Sequence, residues 1–125
     1  ALMLSVLSMV AYANTTDTKT KNTAEFGTLT GEQWYGGMYA GRKYIPFTVQ
    51  VTKSASILKA TVQICDYTSG STIDGDVANG SGTWASGQWE GHNDAANKRL
   101  VSSFGAHEAR NNAAGYVVYT TLVGV

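Results

Sequence analysis

The chain has 125 residues, 43% hydrophobic and 14% charged, with 14 glycines and a single proline. That length suits one domain, and the surplus of apolar over charged side chains excludes a disordered chain. Nine basic and nine acidic side chains cancel to a formal net charge of zero, which argues against a nucleic-acid partner and against polybasic membrane contact.

Ala1 to Ala13 carry no charge, include Leu2, Met3, Leu4, Val6, Leu7, Met9 and Val10, and end in Ala11-Tyr12-Ala13 before the polar run Asn14-Thr15-Thr16-Asp17. Small residues three and one positions before a cut are what signal peptidase reads. Residues 1–13 are therefore expected to be part of a signal peptide, and the protein to be secreted or held at a cell surface. A transmembrane span needs about 20 apolar residues, so no stable transmembrane anchor is expected. Residues 14–24, rich in Thr, Asn and Lys without an apolar period, read as a flexible mature N-terminus. One β-sandwich domain is expected over residues 25–125.

Phe26 to Thr30 alternates as a first strand. Residues 31–43 hold Trp34, Tyr35, Tyr39 and four glycines, which suits an aromatic loop or bulged edge. Phe47, Val49 and Val51 alternate with Thr48, Gln50 and Thr52, putting the apolar set on one face. Pro46 has no N–H for a ladder, so it is expected at the start of this strand. Leu58, Ala60, Val62 and Ile64 repeat the pattern, with a hairpin expected at Ser54–Ser56. Thr68-Ser69-Gly70 turns the chain into a strand over residues 71–77, with Ile73 and Val77 facing inward. Asp74-Gly75-Asp76 and Asn79-Gly80-Ser81-Gly82 then read as a loop.

Trp84 and Trp89 stand five residues apart. On one continuous strand they would point to opposite faces, whereas a two-residue turn at Ser86-Gly87 would stack them on one face. Between Lys98 and Arg110 the apolar residues split by parity, with Leu100, Phe104 and Ala106 on one and Val101, His107 and Ala109 on the other. A bulge at Gly105 would reconcile them. Gly115 to Val123, with Tyr116, Val117, Val118, Tyr119 and Leu122, is expected as a last strand, apolar on both faces. Seven or eight short strands with Gly-rich turns predict an all-β, antiparallel β-sandwich or small barrel. The lone Cys65 falls in an apolar strand and is expected to be buried.

Catalytic patterns are weak. His92 and His107 lack metal-ligand spacing, Gly80-Ser81-Gly82 is not a nucleophile elbow, and the acids show no distinguished pair. Asp74-Gly75-Asp76 and Asn79 are out of register for a calcium loop. Neither an enzyme, a metal nor a cofactor is expected. Glu108 and Arg110 share one side of a strand and are expected to pair as surface decoration. The aromatic residues are the best lead: Trp34, Tyr35, Tyr39 and Tyr44 in one Gly-rich segment, and Trp84 and Trp89 in another. Rigid amphipathic rings over a β scaffold suit recognition of a sugar or a protein.

Gly82-Thr83-Trp84, the segment Phe104 to Arg110 (Phe-Gly-Ala-His-Glu-Ala-Arg) and Tyr116 to Thr120 (Tyr-Val-Val-Tyr-Thr) resemble small secreted β proteins of Gram-positive bacteria. Some of these are lactococcin-972-like bacteriocins. The resemblance covers about a third of the chain and implies a compact β-sandwich acting on a cell envelope. The function expected from the residues is a non-enzymatic binding module for a cell-wall polysaccharide or a surface protein. A bacteriocin-like effector and a structural matrix protein are the alternatives.

Overall fold

The computed structural model describes residues 15–125, so the expected signal-peptide segment, residues 1–13, lies outside the described residues. In chain order the elements are β1 (Thr16–Thr23), β2 (Gly27–Trp34), β3 (Met38–Tyr39), β4 (Arg42–Asp66), β5 (Thr72–Glu90), a single helical turn α1 (Asp94–Asn97), β6 (Val101–Arg110) and β7 (Gly115–Leu122). All pairings are antiparallel. The all-β expectation holds as one sheet of seven strands, nearly closed into a barrel.

The spine is β4, 25 residues long. Its first half lies between β2 and the end of β5, and its second half between β6 and the start of β5. Register shifts between Gln50 and Ala55, and between Ala55 and Leu58, mark irregularities in this ladder. Such bulges bend a strand and increase its twist. The hairpin expected at Ser54–Ser56 is therefore replaced by a bend. Each half of β4 finds a different neighbour on one side, while β5 accompanies both halves on the other.

Pro46 lies inside β4 rather than at its start. Tyr44 donates its N–H to Gly37 O, so by alternation the donor that Pro46 lacks would face the same side. The β2 ladder has stopped there, its last pair being Gln33 with Phe47.

The expected flexible N-terminus, residues 14–24, differs from expectation over its described part, residues 15–24. Thr16–Thr23 is a regular strand, in register with Gly27–Trp34. Its faces are mostly wet, so it carries no apolar period, and β-branched threonine supplies the strand preference instead. β1 and β7 come together at the seam of the barrel, where Thr121 N–H donates to Asp17 Oδ2 at 2.8 Å. A carboxylate here takes the place of a strand carbonyl.

The core holds Phe26, Leu29, Ile45, Phe47 and Val49 from one half, and Leu58, Val62, Ile64, Val101 and Leu122 from the other. Cys65 is buried, as expected. β6 runs in unbroken register against β4 from Arg110 to Val101, with no bulge at Gly105. Its odd positions face inward, so Phe104 and the adjoining Leu100 are exposed.

A buried polar strip crosses this interior. His107 Nδ1 lies 2.6 Å from Thr48 O and its Nε2 lies 2.7 Å from Thr120 Oγ1, which accepts from Gln33 Nε2 at 3.0 Å. Gly31 makes room for the imidazole, since a Cβ there would sit 2.4 Å from its Cγ.

Candidate functional site: an aromatic and hydroxyl face on the sheet

β5 settles the arrangement of the tryptophans. Thr72–Glu90 is one strand, with Gly80, Asn79, Asp76 and Asp74 all in ladder register with β4. The expected loop and the Ser86-Gly87 turn are both absent, so Trp84 and Trp89 take opposite faces as the period of a strand requires. Trp89 is 1% exposed, packs in the core and donates its indole N–H to Asp74 Oδ2 at 2.9 Å. It is removed from the candidate binding set. Val77 turns outward, against expectation, and Ile73 is partly buried against the core.

Trp84 is 54% exposed on β5, an edge strand that pairs only with β4, at the last ladder pair before the register shift after Gln50. The same face is built by the even-numbered residues of four strands. One row across it is Thr20, Thr30, Gln50 and Trp84; the next is Thr18, Glu32, Thr48 and Ser86. Beyond these stand Thr16 beside Trp34, and Pro46 opposite Gln88. On the other flank, Thr28 N–H donates to Thr52 Oγ1 at 2.9 Å. Thr28, Thr30, Gln50, Thr52 and Thr83 wall a cleft of about 260 Å³ against the Trp84 ring.

Near its middle the face carries Glu32, whose carboxylate accepts the Thr18 hydroxyl at 2.6 Å, and at its Tyr44 end it carries the Arg42–Glu90 ion pair. Threonine at wet strand positions follows from β propensity alone. A half-exposed indole among hydroxyls and an amide does not, because that ring leaves apolar area in water.

Two further expected aromatics border the face. Trp34 is half-buried at the end of β2, and Tyr44 is half-buried on β4 opposite Glu90. Arg42 Nη1 holds Glu90 at 2.5 Å and keeps that carboxyl below its ordinary range. Burial, then the neighbouring Glu90, pushes the Tyr44 hydroxyl up. Tyr39, 75% exposed on the short strand β3, stands beside Arg42 in register.

With strands about 4.8 Å apart and residues rising about 3.3 Å each, Trp34 and Trp84 stand at opposite corners of the face, roughly 16 Å apart. Tyr35 points away from Trp34 and lines a different cavity, together with Met38, Lys43 and Leu100. The structure thus brings Trp34, Tyr44 and Trp84 to one face with Tyr39 at its border, and separates Tyr35 and Trp89.

Sequence reasoning missed Thr28, Thr30, Gln50 and Thr52. The signal was present in their alternation with Leu29, Gly31, Val49 and Val51, which fixes their face as surely as it fixes the core. No cluster of His, Cys, Asp and Glu able to hold a metal ion occurs among the described residues. Glu108 and Arg110 pair at 3.2 Å on the surface of β6, as expected. No described helix is long and apolar enough to cross a membrane.

No protein-family model, curated protein or solved structure matches the chain.

Proposed function

We propose that this protein is a non-catalytic glycan-binding module, and that the outer face of β1, β2, β4 and β5 is its binding platform. The observation that carries the reading is Trp84, held half-exposed on the edge strand β5 beside a cleft lined by Thr28, Thr30, Gln50 and Thr52. A pyranose offers an apolar ring face edged by hydroxyls. An indole takes the first by stacking, and Thr hydroxyls and the Gln50 amide take the second by donating and accepting hydrogen bonds.

The row through Trp84, with Thr20, Thr30 and Gln50, is uncharged, which suits a neutral, hydroxyl-rich polymer. An anion or a charged protein surface would call for complementary ions. Trp34 and Tyr44 at the far corner extend the platform along a chain of several sugars. An insoluble cell-wall polysaccharide at the cell surface is the partner this chemistry fits.

The test is retention of residues 14–125 on insoluble polysaccharides and purified cell walls. Trp84→Ala is expected to lose retention while changing stability by no more than about 0.5 kcal/mol, as surface substitutions do. Trp89→Ala is expected to lose about 3–5 kcal/mol of stability, because it empties the core and orphans Asp74. Full retention by a folded Trp84→Ala protein would end the reading.

A further inference from the structure

We infer that two copies of this chain join edge to edge through β5, in an antiparallel ladder centred on Ser86, to form a closed dimer. β5 is 19 residues long and pairs only with β4. Its other side therefore carries main-chain donors and acceptors with no strand beside them.

Alternation along β4 tells which residues these are. Gly36 N–H donates to Tyr44 O and Tyr44 N–H to Gly37 O, while Lys43 O accepts from Gly91 N–H. Tyr44 thus bonds away from β5, and Lys43 towards its end. Continuing the alternation, Ile45, Phe47 and Val49 bond to Trp89, Gly87 and Ala85. The main-chain groups of Trp84, Ser86 and Gln88 then point off the edge. In the other half of β4, Asp66 N–H donates to Ser71 O and Tyr67 N–H to Leu100 O. By the same rule Gly75 and Val77 turn outward.

The two halves of the edge are finished differently. Gly75 N–H donates to Asp74 Oδ1 and Val77 N–H to Asp76 Oδ1, each at 2.8 Å. These carboxylates occupy donors that an incoming strand would need, and they put charge on the edge, which discourages pairing. Thr83 to Gln88 carries neither charge nor proline. No described side chain takes the N–H of Trp84, Ser86 or Gln88.

A second copy fits this open half because the segment is its own complement. A twofold axis through Ser86, perpendicular to the sheet, sets Ser86 against the partner's Ser86 and Trp84 against the partner's Gln88. Every outward N–H then finds an outward C=O, and no charged side chain faces a like one. The zero net charge of the chain adds no repulsion. An uncharged run also has nothing to offer a charged peptide. The axis keeps both Trp84 rings on one face, roughly 14 Å apart. That doubled platform rests on the glycan reading above; the dimer itself does not.

Sedimentation equilibrium of the intact chain, without glycan, tests the dimer. The mean mass is expected to rise with concentration from one chain to two and stop there, because a twofold contact closes. Ser86 is exposed and faces its own copy, so Ser86→Lys and Ser86→Asp each set like charges opposite one another. Each alone is expected to weaken association at least about threefold. Their equimolar mixture is expected to associate about tenfold more tightly than either alone, an advantage that fades in high salt.

A chain that stays single, leaving the edge to the strand of another protein, would overturn the dimer. So would masses that grow past two chains, or charged variants that associate like wild type and show no preference for each other. Each readout is a mass, so the Trp84 platform stands or falls separately, by retention.

Discussion

His107 shows most plainly how a buried polar residue makes the fold depend on pH. Desolvation lowers its pKa, against the smaller opposing effects of the Thr48 carbonyl and the Asp17 charge. Thr48 O can only accept, so Nδ1 carries the proton and Nε2 accepts from Thr120. A second proton would leave Thr120 Oγ1 facing two donors, from Gln33 and from the imidazolium, with its own hydroxyl proton displaced.

The neutral ring is therefore the folded form, and the unfolded chain takes up a proton first. The stability that follows is fully present above the unfolded value of 6.5. It declines as pH falls below that value towards the folded one, at no more than about 1.4 kcal/mol per pH unit. Chemical denaturation between pH 7.5 and 5 is expected to show this decline, and a folded His107→Gln protein to lack it. A wild-type midpoint flat across that window would mean that the folded ring takes up its second proton at the same pH as the unfolded chain, and would contradict this account. Trp84 and Trp89 make a second lesson at this scale. The same residue type five positions apart serves as platform and as core, and parity on one continuous strand decides which.

At the scale of elements, β1 and β7 are the two ends of the strand order and meet at the seam of the barrel. The seam is bridged by a side chain, with Asp17 Oδ2 accepting from Thr121 N–H. Removing that acceptor leaves β1 attached by its β2 ladder. Asp17→Ala is expected to speed hydrogen exchange across Thr16–Thr23 and Gly115–Leu122 while β4 and β6 stay protected. Uniform exchange in both proteins would assign no role to the bridge.

The elements also show what could be read in advance. The alternations around Phe47–Val51 and Leu58–Ile64 name the inward faces correctly, because burial imposes period two directly on side-chain type. Three features escaped for physical reasons. β1 has no buried face to leave a pattern. The bend in β4 passes through Ser54 and Ser56, which look like a turn, but long-range pairing with β5 holds the chain extended. β5 is rich in Asp, Asn and Gly, poor strand formers that the β4 ladder nonetheless holds in place. Of the expected aromatic site, Trp34, Tyr39, Tyr44 and Trp84 needed only the correct face, whereas Lys43 and its cavity arise from contacts between distant segments that no local pattern encodes.

For the whole molecule, the curved sheet has two consequences. Its concave side closes over the core and the His107 strip, and its convex side spreads four strands into a broad surface whose charges are Glu32 and the Arg42–Glu90 pair at one end. Rows of hydroxyls with Trp34 and Trp84 diagonally apart across them are an arrangement for a long, neutral, repeating ligand rather than a small one. The zero net charge of the chain agrees with a protein that approaches its ligand without electrostatic steering.

The measurement that tests the platform most directly is a proton–nitrogen correlation spectrum, titrated with soluble fragments of cell-wall glycans. The chain has three tryptophans, each with one indole N–H signal. The account predicts that the Trp84 signal moves first and furthest, with the Trp34 signal and the amides of Thr30 and Gln50 following. The Trp89 signal, locked on Asp74, stays in place. Saturating binding that leaves the Trp84 signal unmoved, or no shift with any glycan fragment, would contradict it.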